Sequence, residues 1–266
     1  MHLSIQHITT YRFDEPASYG LQQLRLTPKS RAGQDVHQWQ MAIEGGRAEC
    51  EFTDEYLNRV SLISFEPGAT EIVVRCQGIV ETMDQSGVVG KHGGYAPLWL
   101  FERSTPVTRA GQHVRRLARG LRDEYAEDIP RLHALSARIA DAVGYEVGAT
   151  GAETTAEEAI ELGRGVCQDH AHIFIAAARA MGYAARYVSG YLMLDDRVHQ
   201  DASHGWAEAH CDGLGWVGFD VSNAMSPDAR YVRVATALDY AGAAPISGVR
   251  HGPGNESLSV DIQVQQ

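Results

Sequence analysis

The chain has 266 residues, enough for one large domain or two modest ones that each bury a core. Charged residues make up 21% and hydrophobic residues 44%, ordinary values for a globular protein that argue against extensive disorder. A formal net charge of -11 speaks against a nucleic-acid partner, which needs clustered Lys and Arg; Arg115, Arg116, Arg119 and Arg122 read as one solvated helix face.

From His2 to about Thr82 short alternating runs are separated by turn residues, as in Leu3 to Ile8, Val36 to Met41 and Glu71 to Cys76. That pattern predicts an antiparallel β domain over residues 1–90, followed by a glycine-rich linker that extends over 91–105. Helical patterning predicts one helix from Pro106 to Leu121 and another from Ile129 to Val143, closed by Gly144. Thr155 and Glu158 fit a capping box that opens a short helix to Leu162, with Gly163 as its stop. Apolar residues at Ala171, Phe174, Ile175, Ala178 and Met181 recur every three or four positions. They predict an amphipathic helix from Gln168 to Met181, ended by Gly182. Strand-like segments follow at Ala185 to Leu194, Gly205 to His210 and Trp216 to Val221, and Leu258 to Val264 alternates strictly as a last strand that could join either domain. The expected fold class is therefore α+β, with an N-terminal β domain and a second domain over 106–266 in which a helix packs on an antiparallel sheet.

The N-terminus has no apolar stretch of signal-peptide length and no run of 18 apolar residues occurs, so the expectation is a soluble cytoplasmic protein without a membrane partner. Its four cysteines are scattered and form no CxxC pair. Cys50, Cys76 and Cys211 read as small hydrophobes.

Cys167 differs because it falls at the predicted helix start. There, free N–H groups and the helix dipole favour a thiolate and could also hold an oxyanion. Asp169 places an opposing negative charge nearby, so His204 has to supply the greater part of the activation. Ser203-His204-Gly205-Trp206 and Phe219-Asp220 provide a base and an orienter if the two strands present them on one face. Pairing His210 with Trp216 across a five-residue loop puts His204 and Asp220 in diagonal contact, whereas a two-residue turn puts them on opposite faces. The cysteine, histidine and aspartate then form a nucleophilic triad that passes through an acyl-thioester. Cys167 and Gln168 are the backbone oxyanion candidates and Tyr191 a side-chain one. Trp206 and Glu208 are candidate cleft residues.

Gly165 to Ala171, Gly190-Tyr191, His204 to Glu208 and Gly215 to Asp220 together resemble the transglutaminase-like core of the papain-related Cys-His-Asp superfamily. Tyr11-Arg12-Phe13 with Pro16, Leu24 to Pro28 and Tyr56 to Val60 are similar to the N-terminal β domain of bacterial transglutaminase-like proteins. The resemblance implies Cys167, His204 and Asp220 as catalytic residues on a papain-like core. It also implies a peptide or protein amide substrate, and cysteine-protease or amidase chemistry. Protein-glutamine transglutaminase or deamidase activity, and a non-catalytic binding module, are the alternatives. Gly205 stands where the family often has alanine, and Val221-Ser222 where proline and threonine are common.

No cofactor is expected. A zinc hydrolase would use His170, His172, His199, His204 or His210, but HExxH is absent and residues two apart on a helix diverge by roughly 200°. The sequence leaves oligomeric state, substrate and the role of the N-terminal domain unread.

Overall fold

A computed structural model describes residues 1–266. Its first third is strands: β1 (His2–Phe13), β2 (Tyr19–Thr27), β3 (Gln34–Glu44), β4 (Gly46–Thr53), β5 (Arg59–Phe65), β6 (Glu71–Thr82) and β7 (Val88–Gly90). The helical stretch follows as α1 (Gln112–Ala118), α2 (Leu121–Glu124) and α3 (Asp128–Ala142). Next come the two-residue β8 (Gly144–Tyr145), α4 (Ala156–Leu162), the two-residue β9 (Arg164–Gly165) and α5 (Cys167–Ala180). The chain ends with β10 (Ala185–Leu192), β11 (His199–Gln200), β12 (His204–Cys211), β13 (Gly215–Phe219), β14 (Tyr231–Ala237), α6 (Tyr240–Ala243), β15 (Ile246–His251) and β16 (Glu256–Gln265).

This is an α+β protein with an N-terminal antiparallel sandwich and a papain-like core. Strands β11-β16-β1-β6-β3 form one sheet of the sandwich and β15-β2-β5-β4 the other. Alternation along β1 decides its packing, because period two sends every second side chain inward. Tyr11 and Phe13, near its end, meet Leu24, Leu26 and Ile63 inside the sandwich. Leu3 and Ile5, near its start, meet Tyr191, Val232 and Val234 of the second sheet system instead. The two halves of the molecule thus share a continuous apolar joint.

The core sheet has the order β14-β10-β12-β13-β7 and carries α5 across it. The end of the expected β domain and the expected linker are both built into this core: β7 pairs with β13, and Phe101 is buried with its ring 5.1 Å from that of Trp216. Both closing strands return to the sandwich, β15 beside β2 and β16 beside β1.

Helix α5 is not amphipathic in its setting. Ile173, Phe174, Ile175 and Ala176 to Ala178 are all buried, because α1, α3 and α4 cover the face turned away from the sheet. The single helix expected from Pro106 is two short ones, since Gly120 adopts a left-handed φ of 79° between them. Helix α1 starts late because its cap comes from a distant residue. The Glu157 carboxylate accepts the N–H groups of Gly111, His113 and Val114 at 2.8–3.0 Å. Thr155 and Glu158 cap α4 reciprocally, and Gly163 ends it at a φ of 70°.

Candidate active site

Cys167 is the first residue of α5 and is partly exposed. Val166 before it is extended, and no side chain of its own caps the helix. Asp169 does so by reaching back, with Oδ2 accepting the Val166 N–H at 2.8 Å and the Thr150 hydroxyl at 2.6 Å. The charge expected to oppose the thiolate is therefore turned toward the chain before the helix and held by two donors. The N–H groups of Cys167 and Gln168 lie in the first turn, where an α-helix offers no internal acceptor. The Gln168 side chain is turned away to the Ala152 carbonyl, at 3.1 Å.

His204 begins β12 and Asp220 follows β13. The register has His210 opposite Trp216, and Cys211 also pairs with Gly215. The connecting loop is therefore the three residues Asp212 to Leu214 rather than five, with left-handed Gly213 and Gly215 turning the chain. Its odd length preserves the parity the triad requires. His204 Nε2 lies 2.6 Å from Asp220 Oδ2, which leaves Nδ1 as the free ring nitrogen, and His204 and Cys167 line the same cleft.

Asp220 is 1% exposed. Two residues that the sequence did not suggest complete its environment: Tyr231 donates its hydroxyl to Oδ2 at 2.8 Å, and the Asn223 amide donates to the same oxygen at 2.7 Å. Asn223 was discoverable from its spacing, as a short polar residue three positions past an aspartate at a strand end. Tyr231 sits on another strand and left no local signal. Burial alone would raise the Asp220 carboxyl, but hydrogen bonds from His204, Asn223 and Tyr231 together with the imidazolium charge hold it below its ordinary value. Burial likewise disfavours the charged His204 ring, yet the hydrogen bond to Asp220 and the neighbouring Cys167, with the charges of both, push it up to about 10.

Gly205, the departure at an alanine position, has a steric reason. A Cβ there would stand 2.0 Å from the Tyr187 hydroxyl. That buried phenol keeps its proton, because burial and then the Cys167 charge raise it well above its usual range.

Cys167 and His204 open on a cleft of about 430 Å³ that is also lined by Tyr145, Val147, Leu194 and Arg197. Trp206 and Glu208 do not line it. Parity placed them correctly relative to His204 but could not give depth. Trp206 is 3% exposed, with its ring stacked on His204 at 6.1 Å and edge-on to Tyr231 at 5.4 Å. Glu208 is fully buried between Arg186 and Arg233. Tyr191 is no oxyanion donor here, since it is buried in the joint between domains with its hydroxyl 2.9 Å from His7 Nδ1. The other histidines near the cysteine in sequence are engaged separately. His170 bonds Ser222 and the Val143 carbonyl, His172 accepts from the Tyr240 N–H, and His210 packs edge-on against Trp216.

A thiol at a helix start, an imidazole from one strand and a buried carboxylate from the next, on a papain-like core behind a β-sandwich, define a transglutaminase-like protein. Residues 114–221 match the transglutaminase-like superfamily and residues 3–81 the bacterial transglutaminase-like N-terminal region, and the chain belongs to this family. An uncharacterized protein of Mycobacterium leprae is 27% identical over 98% of both chains. Another from Mycobacterium tuberculosis is 36% identical over 50% of this chain and 45% of its own length. The fold is similar to the crystal structure of a "Putative Cysteine Protease" from Cytophaga hutchinsonii. The TM-score is 0.77 at 22% identity, covering 100% of this chain and 90% of that one. No helix is long and apolar enough to cross a membrane.

Proposed function

We propose that the protein is a thiol-dependent hydrolase or acyltransferase acting on peptide or isopeptide amides, with Cys167 as nucleophile, His204 as acid and base, and Asp220 as orienter. The observation that carries this reading is the 2.6 Å contact of His204 with the buried Asp220, together with the placement of His204 and Cys167 in the wall of one cleft. The reaction proposed here starts from an imidazolium at His204, whose charged form Asp220 favours, beside a Cys167 thiolate.

In the first half-reaction the Cys167 sulfur attacks the amide carbon, and the carbonyl oxygen becomes an oxyanion within reach of the Cys167 and Gln168 N–H groups. The C–N bond breaks as the His204 proton passes to the departing amine, leaving an acyl-thioester. In the second, His204 takes a proton from water, the hydroxide oxygen bonds the acyl carbon, and the sulfur leaves as thiolate. A primary amine in place of water gives transamidation from the same intermediate. Asp220 fixes the ring orientation throughout and stabilises its charge. The four unbridged cysteines support a reducing, cytoplasmic setting.

Intact-mass measurement after brief exposure to peptide and glutamine-containing donors tests this. An acyl adduct on Cys167 that accumulates in the wild type and is absent in Cys167→Ala is the expected result. No adduct and no product with any amide donor would point to a non-catalytic binding module.

A further inference from the structure

A second cavity, of about 70 Å³, lies where residues of the sandwich meet the core sheet, and it shares no lining residue with the catalytic cleft. Arg31, Glu208, Tyr231 and Arg233 contribute to its walls, with Trp206 and Met83 as apolar faces.

Its charges do not balance. The Glu208 carboxylate is shared by Arg186, whose Nε stands at 2.6 Å, and by Arg233, whose Nε and Nη2 stand at 2.8 and 3.1 Å. Arg31 is the third guanidinium of the group, and its buried Nη1 has no hydrogen-bond partner. Three cations against one carboxylate leave two positive charges in excess, within a chain whose net charge is -11. Lys29 stands close enough that Arg233 and Arg31 add to burial in disfavouring its charge. The other acid in the lining, Asp228, is taken by Arg230 at 2.8 Å. Burial, and then the charge of Arg233, also disfavour the Arg31 cation, with Glu208 opposing them.

Arg31 is held in this unfavourable place by design of the backbone. Arg31 and Gln34 pair across a tight turn through left-handed Gly33. The Gln34 amide then grips the main chain of Arg233, donating to its carbonyl at 2.9 Å and accepting its N–H at 2.8 Å. The backbone that carries Arg31 is thus fixed beside the buried cluster. Desolvated cations without an anion are costly, and one water needs only about 10–15 Å³ of such space, so the cavity has room for an anion of several heavy atoms.

We propose that this cavity is a binding site for a small oxyanion, a carboxylate or a phosphate, held by Arg31 with Arg233 behind it. The site is separate from the catalytic cleft, and its test does not depend on turnover. Titrating the full chain with inorganic phosphate and, separately, acetate should give saturable heat and a saturable rise in melting temperature, with Kd below about 1 mM for at least one. Chloride at equal ionic strength should do neither. Saturation by acetate alone assigns a carboxylate ligand, and by phosphate alone a phosphate. Loss of one charge-assisted contact in Arg31→Gln should weaken binding about tenfold or more, while Arg31→Lys keeps the charge and part of the affinity. Absence of saturation by both anions, an equal effect of chloride, or unchanged affinity in Arg31→Gln would overturn the site. Should Arg31→Gln fail to fold, the wild-type titrations and Arg31→Lys decide, and Arg31→Lys binding as tightly as wild type would then count against it.

Discussion

Asp220 and Glu208 are two buried carboxylates that flank Trp206 in space and belong to the same sheet system, yet they do opposite things. Glu208 faces two guanidiniums, cations of a kind that hold their protons far more strongly than an imidazole does. Asp220 faces one imidazole, whose proton can leave, and otherwise only the neutral donors of Asn223 and Tyr231. Burial is equal at the two sites. In the proposed function, what separates the structural carboxylate from the catalytic one is whether its partner can give up a proton.

Substitutions can break that contrast. Asp220→Asn keeps the shape but offers a donor to the wrong tautomer, and should lower kcat/KM on a hydrolysed amide by about 10⁴-fold, by analogy with the serine-protease orienter. Tyr231→Phe removes one hydrogen bond to a charged carboxylate, worth about 1.5–3 kcal/mol, and should lower the same constant roughly ten- to hundredfold with little change in KM. Glu208→Gln should behave differently. Leaving Arg186 and Arg233 without their anion should cost about 3–5 kcal/mol of stability in urea unfolding, while the folded fraction keeps its alkylation rate at Cys167.

A further consequence is a pH dependence. Because His204 in the folded protein is raised to about 10, above its unfolded value, the stability it contributes is complete below the unfolded value near 6.5 and is lost as pH rises through about 10. Asp220→Asn removes a principal cause of that shift. Unfolding free energies at pH 7 and pH 10 should therefore differ more in the wild type than in the variant; equal differences would mean that the imidazole is not held charged by Asp220.

The contrast also shows where a sequence stops being informative. The helix start at Cys167, the capping box at Thr155 and the hairpin that aligns His204 with Asp220 depend on neighbours a few residues away, and local patterning carries them. Depth does not follow from alternation. Glu208 shares the parity of His204 but lies beneath the sheet surface, and Tyr191 is buried by a domain joint formed with His7, far off in the chain. The return of β15 and β16 to the sandwich, the Glu157 cap on α1 and the Tyr231 bond to Asp220 all join distant segments, and nothing near those residues announces the partner.

The central claim is that Cys167 is activated by His204 and Asp220 rather than being merely an accessible thiol. The protein holds its own control, since Cys50 is exposed and free while Cys76 and Cys211 are buried. Site-resolved mass spectrometry of iodoacetamide labelling at pH 6 compares the two accessible thiols within one molecule. The account predicts that Cys167 is alkylated at least about tenfold faster than Cys50 and that His204→Ala removes the advantage. Cys50 reacting as fast as Cys167 in the wild type, or an advantage that survives His204→Ala, would contradict it.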